Sequence, residues 1–164
     1  MKELVLIRHA KSSWKDINLD DFDRPLNKRG EKNAPFMAKV LKKLVKKPDL
    51  IICSTSKRTR LTLDFFLKEF DYKNKIIFEN SIYEASYESI LKVIKNIDKK
   101  YKRIFLIGHN PGLNDLTNYL VSSFKENIPT CGILKINFDI DSWENVEKDS
   151  GELEFFKYPK MLDI

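Results

Sequence analysis

The sequence is short of the residues that mark several whole classes of protein. It holds two cysteines in 164 residues, Cys53 and Cys131, far apart along the chain. That is too few for a disulfide framework and the wrong spacing for paired metal ligands, so both read as small buried residues. Five glycines and six prolines leave no collagen-like or low-complexity tract. The apolar runs at residues 4–7 and 104–107 are strand-sized, far below the roughly twenty residues of a membrane-spanning helix. Met1-Lys2-Glu3 leads straight into the first of them without the small-residue cleavage site of a secretion signal. The expectation is a cytoplasmic protein without membrane contact, a monomer, with one domain over residues 1–164.

Charge of one sign is in excess but diluted. Thirty basic against 24 acidic residues leave a net charge of +6, and six of the bases are arginine. The lysines mix with acids on the polar sides of helical patterns, without the basic block and interleaved aromatics of a single-strand binder. Nucleic acid is therefore not expected as a partner. A non-catalytic anion- or nucleic-acid-binding module is the reading from a different class, and its signature would be salt-sensitive binding that survives loss of His9.

Short apolar runs at 4–7, 49–53, 75–78 and 103–107 predict strands buried on both faces, and the more alternating segments 132–140 and 153–158 predict outer or antiparallel ones. Between them lie helical patterns. Met37, Val40, Leu41, Leu44 and Val45 give the first, with Pro35 expected in its opening turn. Leu61, Phe65, Phe66 and Phe70 give the second, Ile90, Leu91, Ile94 and Ile97 the third, and Leu113, Leu116, Leu120 and Val121 the fourth. The order β-α-β-α-β-α-β-α-β-β implies an α/β protein: a three-layer α/β/α sandwich on a mostly parallel sheet with an antiparallel edge strand.

In such sheets ligands bind beyond the carboxyl ends of the strands. Arg8-His9-Ala10-Lys11-Ser12 follows the first run, Ser54-Thr55-Ser56-Lys57-Arg58 the second, Tyr83-Glu84 the third after a short loop, and Gly108-His109-Asn110-Pro111-Gly112 the fourth. Both histidines and two of the six arginines thus fall on one rim. Zinc would need further ligands that the rim does not supply, so no metal is expected. A guanidinium grips phosphate through two parallel hydrogen bonds, which lysine cannot do. Imidazole is a good nucleophile near neutral pH. Arginines and histidines together suit phosphoryl transfer, in which catalysis is mainly positioning and charge neutralisation.

These residues resemble the histidine phosphatase superfamily, which includes phosphoglycerate mutases. Arg8-His9-Ala10 is similar to its R-H-G signature, and residues 54–62 to its S-P-x-x-R-A-x-x-T segment, with Arg58 and Thr62 at matching offsets. Gly108-His109 is similar to its late strand-end histidine. Asp23-Arg24-Pro25-Leu26-Asn27-Lys28-Arg29-Gly30, Asn110-Pro111-Gly112, Pro129-Thr130 and Tyr158-Pro159-Lys160 point within it to SixA-like phosphohistidine phosphatases. Ala10, Thr55 and Thr59 depart from the usual glycine, proline and alanine.

The resemblance implies a phosphoglycerate mutase-like fold and a metal-independent, cofactor-free phosphatase. His9 would carry the phosphoryl group, while Arg8, Arg58 and His109 would bind the phosphate oxygens, His109 adding a positive charge if protonated. The substrate would be a phosphohistidine on a phosphotransfer or phosphocarrier protein, and inorganic phosphate the product. The alternative is a small phosphomonoester. Glu84 is a candidate general acid or a surface glutamate at a helix start. Ser12, or Lys11, is a candidate phosphate contact, and Arg24 is expected to tie its loop to Asp21 or Asp23. Asn110 is expected to orient its neighbour or cap the next helix. Trp14 and Trp143 are candidates for lining a substrate surface, with burial the commoner setting for tryptophan.

Overall fold

A computed structural model describes residues 1–162. Its strands are β1 (Lys2–Arg8), β2 (Leu50–Cys53), β3 (Lys75–Phe78), β4 (Arg103–Gly108), β5 (Ile133–Phe138) and β6 (Gly151–Lys157). Its helices are α1 (Lys28–Leu44), α2 (Lys57–Glu69), α3 (Tyr87–Lys95) and α4 (Gly112–Leu120). They make one sheet in the order β3-β2-β4-β1-β5-β6. The strands β3, β2, β4 and β1 pair in parallel, while β5 runs antiparallel to β1 and the edge strand β6 antiparallel to β5.

The continuous apolar runs of β1, β2 and β4 follow from burial on both faces. By contrast β3, expected to be buried likewise, is an edge strand whose residues are all partly or fully exposed, Phe78 at 51%. Leu4 and Leu6 join Ile90, Ile94, Leu113 and Leu116 beneath α3 and α4. Val5 and Ile7, one residue out of phase, join Ala34, Met37, Leu63 and Phe66 beneath α1 and α2. Period-two alternation in the strands and period-3.6 stripes on the helices thus produce the three layers.

The start of α1 also differs from the sequence expectation. Pro35 lies well inside α1 rather than in its first turn. The helix starts earlier because Asn27 caps it, its side chain accepting from the Gly30 amide at 2.8 Å. The first two turns then bury Gly30, Asn33 and Ala34, residues too small or polar to show in a hydrophobic stripe. A Cβ at Gly30 would overlap the Lys11 carbonyl, so glycine is what lets the helix start pass this close to the loop after β1. Proline removes one amide from the helix ladder. The carbonyl it frees belongs to exposed Glu31, where water can satisfy it.

The register sets the site. Arg8 pairs with Gly108 across β1 and β4, so the next residues, His9 and His109, leave adjacent strands side by side. Cys53 pairs with Ile107 across β2 and β4, and the Ser54 amide donates to the Ile107 carbonyl at 3.0 Å, placing Ser54 beside them. Among the described residues no helix is long and apolar enough to cross a membrane.

Candidate active site

His9 and His109 are buried with ring centroids 5.3 Å apart. His9 Nδ1 lies 2.7 Å from the Ala10 carbonyl oxygen. A carbonyl only accepts, so Nδ1 carries the proton and Nε2 keeps the lone pair. Behind it the Ala10 amide donates to Thr62 Oγ1 at 2.9 Å, and Thr62 Oγ1 donates to the Arg58 carbonyl at 2.8 Å. Thr62 therefore locks the loop that carries His9 to the helix that carries Arg58. Thr59, which stands where the resemblance led to alanine, is buried and donates to the Ser54 carbonyl at 2.8 Å, closing the turn between β2 and α2.

Arg58 is the most heavily engaged side chain of the site. Its Nη1 donates to the Asp21 carbonyl at 2.7 Å. Its Nη2 donates to Asp21 Oδ2 at 3.0 Å and Glu84 Oε1 at 2.6 Å, and faces His109 Nδ1 at 3.4 Å. His109 Nδ1 thus faces this guanidinium on one side, and its Nε2 lies 2.7 Å from Ser54 Oγ on the other. Arg8 Nη1 donates to the Ile128 carbonyl at 2.8 Å, which Asn110 Nδ2 also reaches at 2.9 Å. Asn110 Oδ1 accepts from the Asn114 amide at 2.9 Å, so this one side chain both orients its neighbours and caps α4. Among the described residues, the buried side-chain polar atoms without a partner are Nε of Arg8 and Nε of Arg58. Buried donors of this kind are costly to leave unpaired, and a phosphate oxygen satisfies them.

The segment 11–27 contributes groups that sequence reasoning did not place here. Asp21 bridges three elements: Oδ1 accepts from Arg24 Nε and Nη2 at 3.2 and 2.9 Å, and Oδ2 from Arg58 and from the Tyr83 hydroxyl at 2.5 Å. Tyr83 also packs edge-on against His109. Burial first, then its bond to Asp21, pushes the Tyr83 hydroxyl up to about 12. Partial burial pushes the Asp21 carboxyl up, but bonds from Tyr83, Arg24 and Arg58 outweigh it and hold the group at about 2. Arg24 ties to Asp21 as expected, and its charge also acts on His9. Ser12 Oγ accepts from Arg24 Nη1 at 2.9 Å, so the structure makes Ser12 a partner of Arg24. Trp143 is fully buried, donating to the Tyr101 carbonyl, whereas Trp14 is exposed and covers the Arg24 guanidinium at 3.5 Å.

Glu84 stands at the mouth with φ of 47°, a left-handed conformation uncommon for a residue with a side chain. Its carboxylate touches Arg58 and lies 3.5 Å from His109 Nδ1. The side chains of Asp21 and Glu84 are 43% and 46% exposed, whereas Arg58, bonded to both, is at 2%. The cradle therefore sits one side-chain length below an open surface.

The surroundings of the two histidines set their charge. Burial, reinforced by Arg58, Arg8 and for His109 by His9, lowers both imidazoles to about 3. His109 is thus neutral at pH 7 rather than a further positive charge. Both groups titrate near 6.5 in the unfolded chain, which therefore binds protons between pH 6.5 and 3 that the native state refuses. The resulting stability is complete above pH 6.5 and lost as pH falls, by about 2 kcal/mol per histidine between pH 7 and pH 5. The urea midpoint is expected to drop over that interval, and to drop less in His109→Asn. A midpoint flat from pH 7 to pH 5 would contradict the assignment.

Residues 4–111 match the family model of the histidine phosphatase superfamily (branch 1). An uncharacterised chloroplast protein of Arabidopsis thaliana is 34% identical over 159 residues, covering 92% of this chain and 72% of that protein. The crystal structure of a protein assigned as the phosphohistidine phosphatase SixA of Agrobacterium tumefaciens superposes with TM-score 0.83 and 26% identity, covering 96% of this chain and 98% of that one. A protein histidine phosphatase SixA complexed with tungstate shares the fold at TM-score 0.84 and 16% identity, covering 98% and 99% of the two chains. With two strand-end histidines flanked by arginines on a sheet of this topology, the chain belongs to the histidine phosphatase superfamily, of which it is a SixA-like member and a phosphatase.

Proposed function

We propose that this phosphatase acts on phosphohistidine carried by a protein, through a covalent intermediate on His9. The observation that supports a protein substrate is the depth of the site. The carboxylates bonded to Arg58 are nearly half exposed, so a side chain presented on a folded surface can reach the cradle. A free metabolite would profit from a closed pocket that excludes water.

In this reading the phosphoryl oxygens take the donors of Arg8 and Arg58, including the two unpartnered Nε atoms. His9 Nε2 gives its lone pair to phosphorus as the P–N bond to the substrate imidazole breaks. The departing imidazole nitrogen takes a proton from Glu84, which enters this step as the carboxylic acid once the phosphoryl oxygens have taken over the Arg58 donors. Water then attacks the phosphoryl group on His9 and returns a proton to the Glu84 carboxylate, releasing inorganic phosphate and neutral His9. An imidazole leaves more readily than an alkoxide, so the demand on Glu84 is modest. His109, neutral and anchored by Ser54, contributes a polar wall to the cradle.

The test compares phosphate release from a phosphorylated phosphotransfer domain and from an aryl phosphate, both with EDTA present. A kcat/KM at least about 100-fold higher on the phosphohistidine protein is expected. Equal or better turnover of the ester would move the assignment to a small phosphomonoester.

A further inference from the structure

Residues 11–27 form a loop whose neck is tightly closed and whose tip is bare. It leaves β1 directly after His9 and Ala10. At the neck Ser12 bridges Leu26, the Ser13 amide donates to the Pro25 carbonyl at 2.8 Å, and the Asn27 amide to the Lys11 carbonyl at 3.0 Å. At the tip Trp14, Ile17 and Leu19 are 73%, 91% and 39% exposed. Three uncovered apolar side chains within six residues, beside a catalytic mouth, are more than the scattered surface apolars of an ordinary domain.

A groove of about 730 Å³ runs between this loop and the start of α1. Its lining includes Lys11, Trp14, Lys15, Lys28 and Arg29, with Glu31 the one carboxylate. None of these four cations is in an ion pair among the described residues, whereas Arg24, Arg58 and Arg103 all are. The four cations are thus free to pair with a partner's carboxylates, and the groove they line borders the segment that leaves β1 directly after His9 and Ala10.

We propose that this groove and the loop tip are the docking surface for the phosphorylated protein substrate, which would present acidic and apolar side chains beside its phosphohistidine. The inference rests on the protein-substrate reading above and adds the recognition element to it. Charge pairing across such a rim steers encounter and register, and the exposed indole and aliphatic side chains supply the apolar contact. A small phosphoryl compound reaches the arginine cradle without touching this surface.

The test uses the double variant Lys15→Glu/Lys28→Glu and the single variant Ile17→Asp, none of them in the cradle. Substrates are a phosphorylated phosphotransfer domain, free phosphohistidine and an aryl phosphate. The double variant is expected to lower kcat/KM on the phosphoprotein by about ten-fold or more, mainly through KM, and Ile17→Asp by several-fold. Both are expected to stay within about two-fold of wild type on the two small compounds. Added salt should weaken turnover of the phosphoprotein alone.

Unchanged kcat/KM on the phosphoprotein would overturn the docking surface while leaving the substrate reading intact. An equal loss on all three substrates would overturn it as a folding effect. A labelled single-stranded oligonucleotide that binds wild type but not the double variant, with phosphoprotein turnover unaffected, would assign the groove to nucleic acid instead. Wild-type protein active on the aryl phosphate but on no phosphohistidine protein would remove the substrate reading and this inference with it.

Discussion

His9→Ala is expected to reduce kcat to background, a loss of about 10⁴-fold or more. The variant removes the one imidazole whose Nδ1 proton is fixed on the Ala10 carbonyl, leaving Nε2 as lone pair. At neutral pH His9 needs no deprotonation before it attacks, because burial and the nearby arginines already hold it neutral. Alanine leaves Arg8 and Arg58 in place, so binding of an oxyanion such as tungstate should persist, within about ten-fold of wild type. That combination separates a nucleophile from a structural histidine. Rapid quench with labelled substrate adds the direct readout. The wild type should carry an acid-labile, base-stable phosphoryl group, and the variant none. Residual turnover within about ten-fold of wild type would sink the covalent mechanism.

Arg58→Ala is expected to lower kcat/KM by about 10³-fold, and Arg58→Lys to recover little of it. The guanidinium simultaneously donates to the Asp21 carbonyl, Asp21 Oδ2 and Glu84 Oε1 while keeping Nε free. An ammonium has no planar fork with which to reproduce that geometry. The pH profile gives a second readout. The Arg58 charge is among the causes that depress both imidazoles, so its removal raises them. Since attack requires neutral His9, the acid limb of the kcat/KM profile should move to higher pH in Arg58→Ala. A loss of activity with an unmoved limb would place Arg58 away from the nucleophile.

The four groups these predictions rest on were readable from sequence because each follows a buried apolar run, and strands of a parallel sheet all deliver their carboxyl ends to one side. Arg8-His9 and Gly108-His109 are local to β1 and β4, so only the register, Arg8 against Gly108, had to come from the structure. Asp21, and its bond to the Tyr83 that follows the third run, were not readable in the same way. Residues 11–27 show no periodicity, and Asp21 meets Arg58 and Tyr83 across 37 and 62 residues of chain. Such contacts are decided by how a loop closes, which leaves no repeating pattern in the amino acids. The start of α1 escaped for a related reason. Its first buried residues are Gly30, Asn33 and Ala34, and a stripe made of glycine, asparagine and alanine carries little hydrophobic signal. The neutral state of His109 depends on burial beside Arg58 and His9, a property of the assembled site alone.

The two cysteines lie in the core layer beneath α1 and α2, and Cys131 donates its amide to the His9 carbonyl at 3.0 Å. Burial pushes both thiols up to about 12, so almost no thiolate exists at neutral pH. Phosphatases with a cysteine nucleophile are silenced when peroxide oxidises their thiolate, whereas the proposed imidazole nucleophile, backed by protonated, buried thiols, offers that oxidant no comparable target. Alkylation of Cys53 or Cys131 consequently becomes a clock: each labelled molecule records one opening of the layer between the sheet and its first two helices.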